Sequence, residues 1–141
     1  MISLSEQQTL DIAKEFAFTL NGGEVIELVG DLGSGKTLFV RGIAEALGCS
    51  ARVKSPTFTI MNEYSTHSSN TVVRKIIHMD LYRFSDKSQL SALELGNVMA
   101  NDTVVCIEWP DIFGESPFHP THRIKLKHID ENSRDIEIEK I

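Results

Sequence analysis

Long apolar runs are missing from this chain, and so is any excess of positive charge. No apolar stretch approaches the roughly 18 residues of a bilayer-spanning helix, so a transmembrane helix is excluded. The N-terminus lacks a basic segment followed by an apolar one, so no secretory signal is expected and a cytoplasmic location is. Lysine and arginine number 14 against 20 acidic residues, a formal net charge of −6. A protein that grips nucleic acid alone carries a basic footprint. Without one, any RNA is expected to be reached through a protein partner, and neither a membrane nor DNA is expected as a partner. Two cysteines, Cys49 and Cys106, stand far apart without CxxC spacing, which excludes a disulfide framework or thiolate zinc site and predicts reduced thiols. The five histidines form no ligand-spaced cluster. There is no low-complexity tract, internal repeat or domain boundary, so residues 1–141, with 41% apolar content, read as one globular domain.

One stretch organises the rest. Val25 to Val29 reads as a short buried strand that runs into Gly30-Asp-Leu-Gly-Ser-Gly35-Lys36-Thr37. That spacing is the phosphate loop of nucleotide-binding proteins. Its glycines reach backbone angles closed to other residues and let phosphate approach the main chain. The amides of Leu32 to Lys36 can then form a nest of donors, and a helix starting near Lys36 adds its positive dipole end. Lys36 is the mobile charge for β/γ oxygens, and Thr37 is the hydroxyl for Mg²⁺. The alternative is a glycine-rich turn that binds nothing. The apolar strand before the loop and the helix-competent run Thr37 to Leu47, stopped by Gly48, favour the nucleotide. Asp31, Leu32, Gly33, Ser34, Gly35, Lys36, Thr37 and Leu38 are therefore the candidate ATP/ADP contacts.

The remaining elements follow in order. Ser5 to Leu20 predicts an amphipathic helix with Ser5 and Gln8 at capping-box spacing, ended by Asn21-Gly22-Gly23. Most of it reads as packing, with Ser5 to Thr9, and Thr9 in particular, a candidate contact to the base by fold analogy. Pro56 shapes a turn in Val53-Lys-Ser55-Pro-Thr57-Phe-Thr59, whose hydroxyls at Ser55 and Thr57 are candidates for a γ-phosphate or its Mg²⁺ shell, against a plain polar loop. Phe58 to Tyr64 and Val72 to Met79 predict a hairpin ending at Asp80, a candidate for Mg²⁺ or the attacking water, or simply the start of a turn. Asp86 to Met99 is expected to be partly helical through Leu90, Leu93 and Leu95, with Gly96 as a break. The most apolar strand, Thr103 to Ile107, delivers Glu108, a Walker B-like carboxylate for Mg²⁺, followed by the single tryptophan, Trp109. In the tail, alternation at Ile124, Leu126, Ile136 and Ile138 predicts two strands, His122 to His128 and Asp135 to Ile141, with Lys125 and Lys127 facing water. The fold class expected is α/β: a single-domain P-loop NTPase with a central mixed, mostly parallel sheet flanked by helices and a β-hairpin.

Taken together, Gly-Asp-Leu-Gly-Ser-Gly-Lys-Thr37, Arg41-Gly42, Val53-Lys-Ser-Pro-Thr-Phe58, His78-Met-Asp-Leu-Tyr-Arg83 and Ile107-Glu-Trp-Pro110 resemble the TsaE (YjeE) family of bacterial tRNA threonylcarbamoyladenosine ATPases. The likeness runs from residue 2 to about residue 110, with Met79 as a departure, and no functional residue is carried into the tail. The resemblance implies slow ATP hydrolysis in support of TsaB and TsaD, which place a threonylcarbamoyl group on the adenosine beside the anticodon. It further implies that Thr37 and Glu108 are Mg²⁺ ligands, that Asp80 matters for hydrolysis, and that Ser55-Pro56-Thr57 is a switch-like loop. Trp109 falls at an aromatic position tied to activity. Lys36, Asp80 and Glu108 are the candidate catalytic residues, with Thr37, Glu108 and Asp80 the candidate metal ligands.

Two other functions fit a phosphate loop of this size. A small-molecule kinase needs an arginine-rich lid, and no such segment occurs. A non-catalytic nucleotide-gated module overlaps with a slow ATPase. The lack of an Asn-Lys-x-Asp guanine signature favours ATP over GTP. Slow basal hydrolysis is expected, because no catalytic arginine is assignable.

Overall fold

The computed structural model of the chain describes residues 1–56, 61–91, 96 and 99–141. Among these residues the elements run in the order β1 (Ile2–Ser3), α1 (Glu6–Ala17), β2 (Val25–Val29), α2 (Lys36–Ala46), β3 (Met61–Ser65), β4 (Lys75–Asp80), α3 (Ser88–Ser91), β5 (Thr103–Glu108), β6 (His122–His128) and β7 (Arg134–Lys140). The strands form one mixed sheet in the order β1-β7-β6-β2-β5-β4-β3. The middle four strands are parallel, β2 pairing with β5 and β6, and β4 with β5. The edges are antiparallel: β3 on β4, β7 on β6, and β1 on β7.

Burial follows this order. β5 lies between β2 and β4 and every one of its residues is buried, as expected of a parallel strand covered on both faces. Ile26, Leu28, Ile76, Val104, Cys106 and Ile124 face one way, against Ala13, Phe16, Ala17 and Leu20 of the α1 segment and Phe39, Val40 and Ile43 of α2. Each large side chain so buried contributes about 1.5–3 kcal/mol. Ile77, Met79, Val105 and Ile107 face the other way, covered by Leu81, Phe84, Ile112, Phe113 and Phe118. Both long helices thus share one face, while Leu90 of α3 and loop residues pack on the opposite one. α1 and α2 approach closely at Gly42, where a Cβ would stand 2.6 Å from the Ala13 Cβ and 2.9 Å from the Leu10 carbonyl oxygen.

Local signals account for the element ends. Ser5 Oγ accepts from the Gln8 amide at 3.1 Å, and Gln8 Oε1 accepts from the Leu4 amide at 2.7 Å, a reciprocal cap. Glu27 interrupts the apolar β2 and is fully buried. Arg123 on β6 donates to its Oε2 through Nε at 3.1 Å and Nη2 at 2.9 Å, and the Ser116 hydroxyl binds Oε1. Both cysteines are free thiols. Among the described residues, no helix is long and apolar enough to cross a membrane.

Some expected boundaries shift. β4 begins at Lys75 rather than Val72, because Thr66 Oγ1 takes the Val73 carbonyl and the Arg74 amide turns to Asp102. β7 begins at Arg134 and is joined by β1, a strand too short to leave a periodic trace. The expected strand start at Phe58, the candidate Thr57, and Leu93 and Leu95 of the expected helix lie outside the described residues.

Candidate functional site

The C-terminal ends of β2, β4 and β5 and the N-terminus of α2 enclose a cleft of about 490 Å³. This is the edge of a parallel sheet where chain crossovers open a crevice. Leu32, Gly33, Gly35, Lys36, Thr37, Leu38, Ser55, Asp80 and Glu108, all candidates from the sequence, line it, together with Tyr82, Arg83 and Trp109. Asp31 is exposed beside the cleft and Ser34 is buried beneath the loop.

Lys36 folds back on its own loop. Its ammonium donates to the carbonyls of Gly30 at 2.7 Å and Asp31 at 2.9 Å, and lies 3.5 Å from Ser34 Oγ. The indole of Trp109 covers it at 4.2 Å from the ring centroid, a cation–π contact. Burial lowers the Lys36 pKa, and the nearby charges of Glu108, Asp80 and Asp31 oppose that shift. Trp109 reaches this place because its backbone turns to φ 57° directly after β5. That conformation is uncommon for a bulky residue and costs on the order of 1 kcal/mol. Tyr82 packs on the same indole, ring centroids 4.8 Å apart.

The acids arrive on neighbouring strands. Asp80 and Glu108 are register partners on β4 and β5. Glu108, 3% exposed, accepts from the Thr37 hydroxyl and meets His78 Nε2, each at 2.8 Å and both on Oε1. Asp80 Oδ2 accepts from Ser55 Oγ at 2.9 Å, and Oδ1 accepts from the Tyr82 amide at 3.0 Å. Asp80 therefore does begin a turn, and it also faces the cleft. The donors at this corner are hydroxyl and carboxylate oxygens, and the described residues contain no cluster of three metal-binding side chains. Such a set suits a hard cation that takes its other ligands from phosphate and water, as Mg²⁺ does.

Thr9 lies elsewhere. It is fully buried, and its hydroxyl is engaged by Ser3 Oγ at 2.8 Å, the Ser5 carbonyl at 3.2 Å and Arg134 Nη1 at 3.2 Å. That last contact exposes a residue the sequence reading passed over. Arg134, 4% exposed, packs behind the glycine-rich loop, and a Cβ on Gly35 would sit 3.0 Å from its Nη1. Gly35 also holds φ 103°, so side chains are disfavoured there on both counts. Among the described residues Arg134 makes no ion pair, and its Nε lacks a partner. The available signal was its parity: Arg134 is two residues before Ile136 on an alternating strand, which places a cation inward.

The sequence profile of the family described as Threonylcarbamoyl adenosine biosynthesis protein TsaE matches residues 3–136. The tRNA threonylcarbamoyladenosine biosynthesis protein TsaE of Bacillus subtilis is 37% identical over 134 residues, covering 95% of this chain and 80% of the relative. That of Aquifex aeolicus is 38% identical over 136 residues, covering 95% and 90%. The crystal structure of Bacillus subtilis YdiB superposes with a TM-score of 0.70 at 31% identity, covering 96% of this chain and 80% of that one. The profile continues beyond residue 110 through β6 and into β7, so the likeness reaches further than the motifs alone, and Arg134 falls within it.

Proposed function

The chain belongs to the TsaE family of tRNA threonylcarbamoyladenosine biosynthesis proteins, and on that premise we propose that it is a Mg²⁺-dependent ATPase, slow alone, that supports turnover of a TsaB–TsaD type complex. The observation that carries this reading is the meeting, at one cleft, of a glycine-rich loop, Lys36 and the Thr37–Glu108 pair.

In this reading the amides of Leu32 to Lys36 and the N-terminus of α2 bind the β- and γ-phosphates. Lys36 leaves the carbonyls of Gly30 and Asp31 to meet the γ-phosphate, where it stabilises developing charge. Thr37 and Glu108 would hold Mg²⁺, which would supply positive charge against the phosphates. Asp80, kept in place by Ser55 and the Tyr82 amide, orients the attacking water. Arg134 adds fixed positive charge behind Gly35. The acidic balance of the chain, −6, fits tRNA being held by the partners rather than by this protein.

A second reading, a nucleotide-gated switch, is favoured by one contact. Lys36 lies under the indole of Trp109, so an incoming phosphate that draws the ammonium away also frees Trp109 and Tyr82 at the rim. The test is ATP hydrolysis by the purified chain, alone and with TsaB–TsaD type partners and tRNA, for wild type, Lys36→Ala and Glu108→Ala. Slow turnover that partners change and both substitutions abolish is the expected result. Fast, partner-indifferent turnover would refute it. Loss of hydrolysis in Glu108→Ala with tRNA modification intact would select the switch.

A further inference from the structure

We propose that His78 is the positioning residue for Glu108: its Nε2–H clamps carboxylate oxygen Oε1 in the orientation that a bound divalent cation requires. The inference rests on the reading of Glu108 as a cation ligand.

His78 is fully buried on β4, on the sheet face that carries Asp80 and turns toward α2. As a cation ligand Glu108 is a carboxylate that only accepts hydrogen bonds, so in this reading Nε2–H donates the 2.8 Å contact to Oε1. The same oxygen accepts from the Thr37 hydroxyl, also at 2.8 Å. Two donors on one oxygen, one from β4 and one from α2, fix both the position of the carboxylate and its rotation. A single donor would leave it free to turn. The Thr37 O–H, committed to Oε1, keeps its lone pairs for a cation. Ligand-orienting hydrogen bonds of this kind set metal affinity in other sites.

The other ring nitrogen shows that packing alone does not explain this histidine. Nδ1 is buried and has no partner among the described residues. A buried polar atom left unpaired is costly, and a leucine would avoid that cost. The bond to Glu108 is thus the one polar contact that His78 makes among the described residues. Strand register gives it a second consequence. Asp80 lies opposite Glu108, and His78 lies opposite Cys106, so the bond ties β4 to β5 just before both acids emerge into the cleft.

The test compares His78→Leu, which keeps bulk, with His78→Gln, whose amide N–H reaches about as far as Nε2. Mg²⁺ is titrated into protein loaded with a non-hydrolysable ATP analogue, with Trp109 fluorescence as the signal. His78→Leu is expected to weaken Mg²⁺ by about 10–100-fold, with His78→Gln recovering most of the loss. Binding of the analogue without Mg²⁺ should change by no more than about twofold. In nucleotide-free protein, the His78 Nε2–H proton resonance should move in Glu108→Gln. Wild-type Mg²⁺ affinity in His78→Leu, or Gln no better than Leu when both melt as folded proteins, overturns the proposal. If the Leu variant fails to fold, His78→Asn, too short to reach Oε1, takes its place against Gln. Glu108→Ala separates the layers: if it too keeps Mg²⁺ affinity, the reading of Glu108 falls first; if it loses affinity while His78→Leu does not, only the role of His78 falls.

Discussion

Replacing Arg134 by methionine should make the nucleotide-free protein more stable and its ATP binding weaker. Arg134 is 4% exposed, and among the described residues its guanidinium pairs with no carboxylate and donates only to Thr9 Oγ1 at 3.2 Å. Removing it strands nothing, since the Thr9 hydroxyl keeps Ser3 Oγ at 2.8 Å and the Ser5 carbonyl at 3.2 Å. Apolar replacement of buried ionic groups is often neutral or stabilising by about 1–4 kcal/mol, and an unpaired charge belongs toward the upper part of that range. Methionine fits the linear volume of the arginine stem. The opposite effect is expected on ligand. A phosphate cradled on the far side of Gly35 would feel the guanidinium across one residue, and unit charges about 6–7 Å apart at an effective dielectric near 20 interact by roughly 2.5 kcal/mol. Allowing for solvent screening, ATP affinity should fall by about 10–50-fold. Urea denaturation without nucleotide and calorimetric ATP titration measure the two effects. A variant less stable than wild type that binds ATP equally well would refute the reasoning and leave Arg134 a packing residue.

Two further outcomes follow from particular contacts. Gly42→Ala should destabilise by about 1–3 kcal/mol, because its Cβ would stand 2.6 Å from the Ala13 Cβ and the two helices must separate to admit it; a urea midpoint unchanged from wild type would show that the pair relaxes freely. His122 has its pKa lowered from 6.5, first by burial and then by Lys140, with Glu24 opposing. The unfolded chain therefore takes up this proton at higher pH than the folded one. Stability should decline as pH falls below about 6.5 toward the depressed folded value and be unaffected above it. His122→Gln should flatten that part of the urea midpoint–pH curve, and parallel curves for the two proteins would contradict it.

What could be read along the chain was whatever short-range chemistry specifies. β2, the glycine-rich loop and α2 follow from an apolar run, glycine spacing and a helix-forming segment, all within residues 25–47. The cap at Ser5 and the buried β5 ending in Glu108 are equally local. Asp80 was legible as an acid at a strand end and as the start of a turn, but its tie to the Ser55 hydroxyl was not, because that contact crosses 25 residues. Thr9 was reached by fold analogy and not by local chemistry. Proximity by analogy suggested a base contact, whereas its hydroxyl is turned inward toward Ser3 and Arg134.

The local pattern of glycines, apolar periodicity and strand-end acids thus settles which segments become strands and helices, since those choices depend on neighbours a few residues away. The convergence of side chains is another matter. Glu108 meets Thr37 across 71 residues and His78 across 30, and Arg134 meets Thr9 across 125. Those contacts exist because the sheet runs β7-β6-β2-β5-β4 with one particular register and α1 packs on it, which burial of both faces selects and which no single segment encodes.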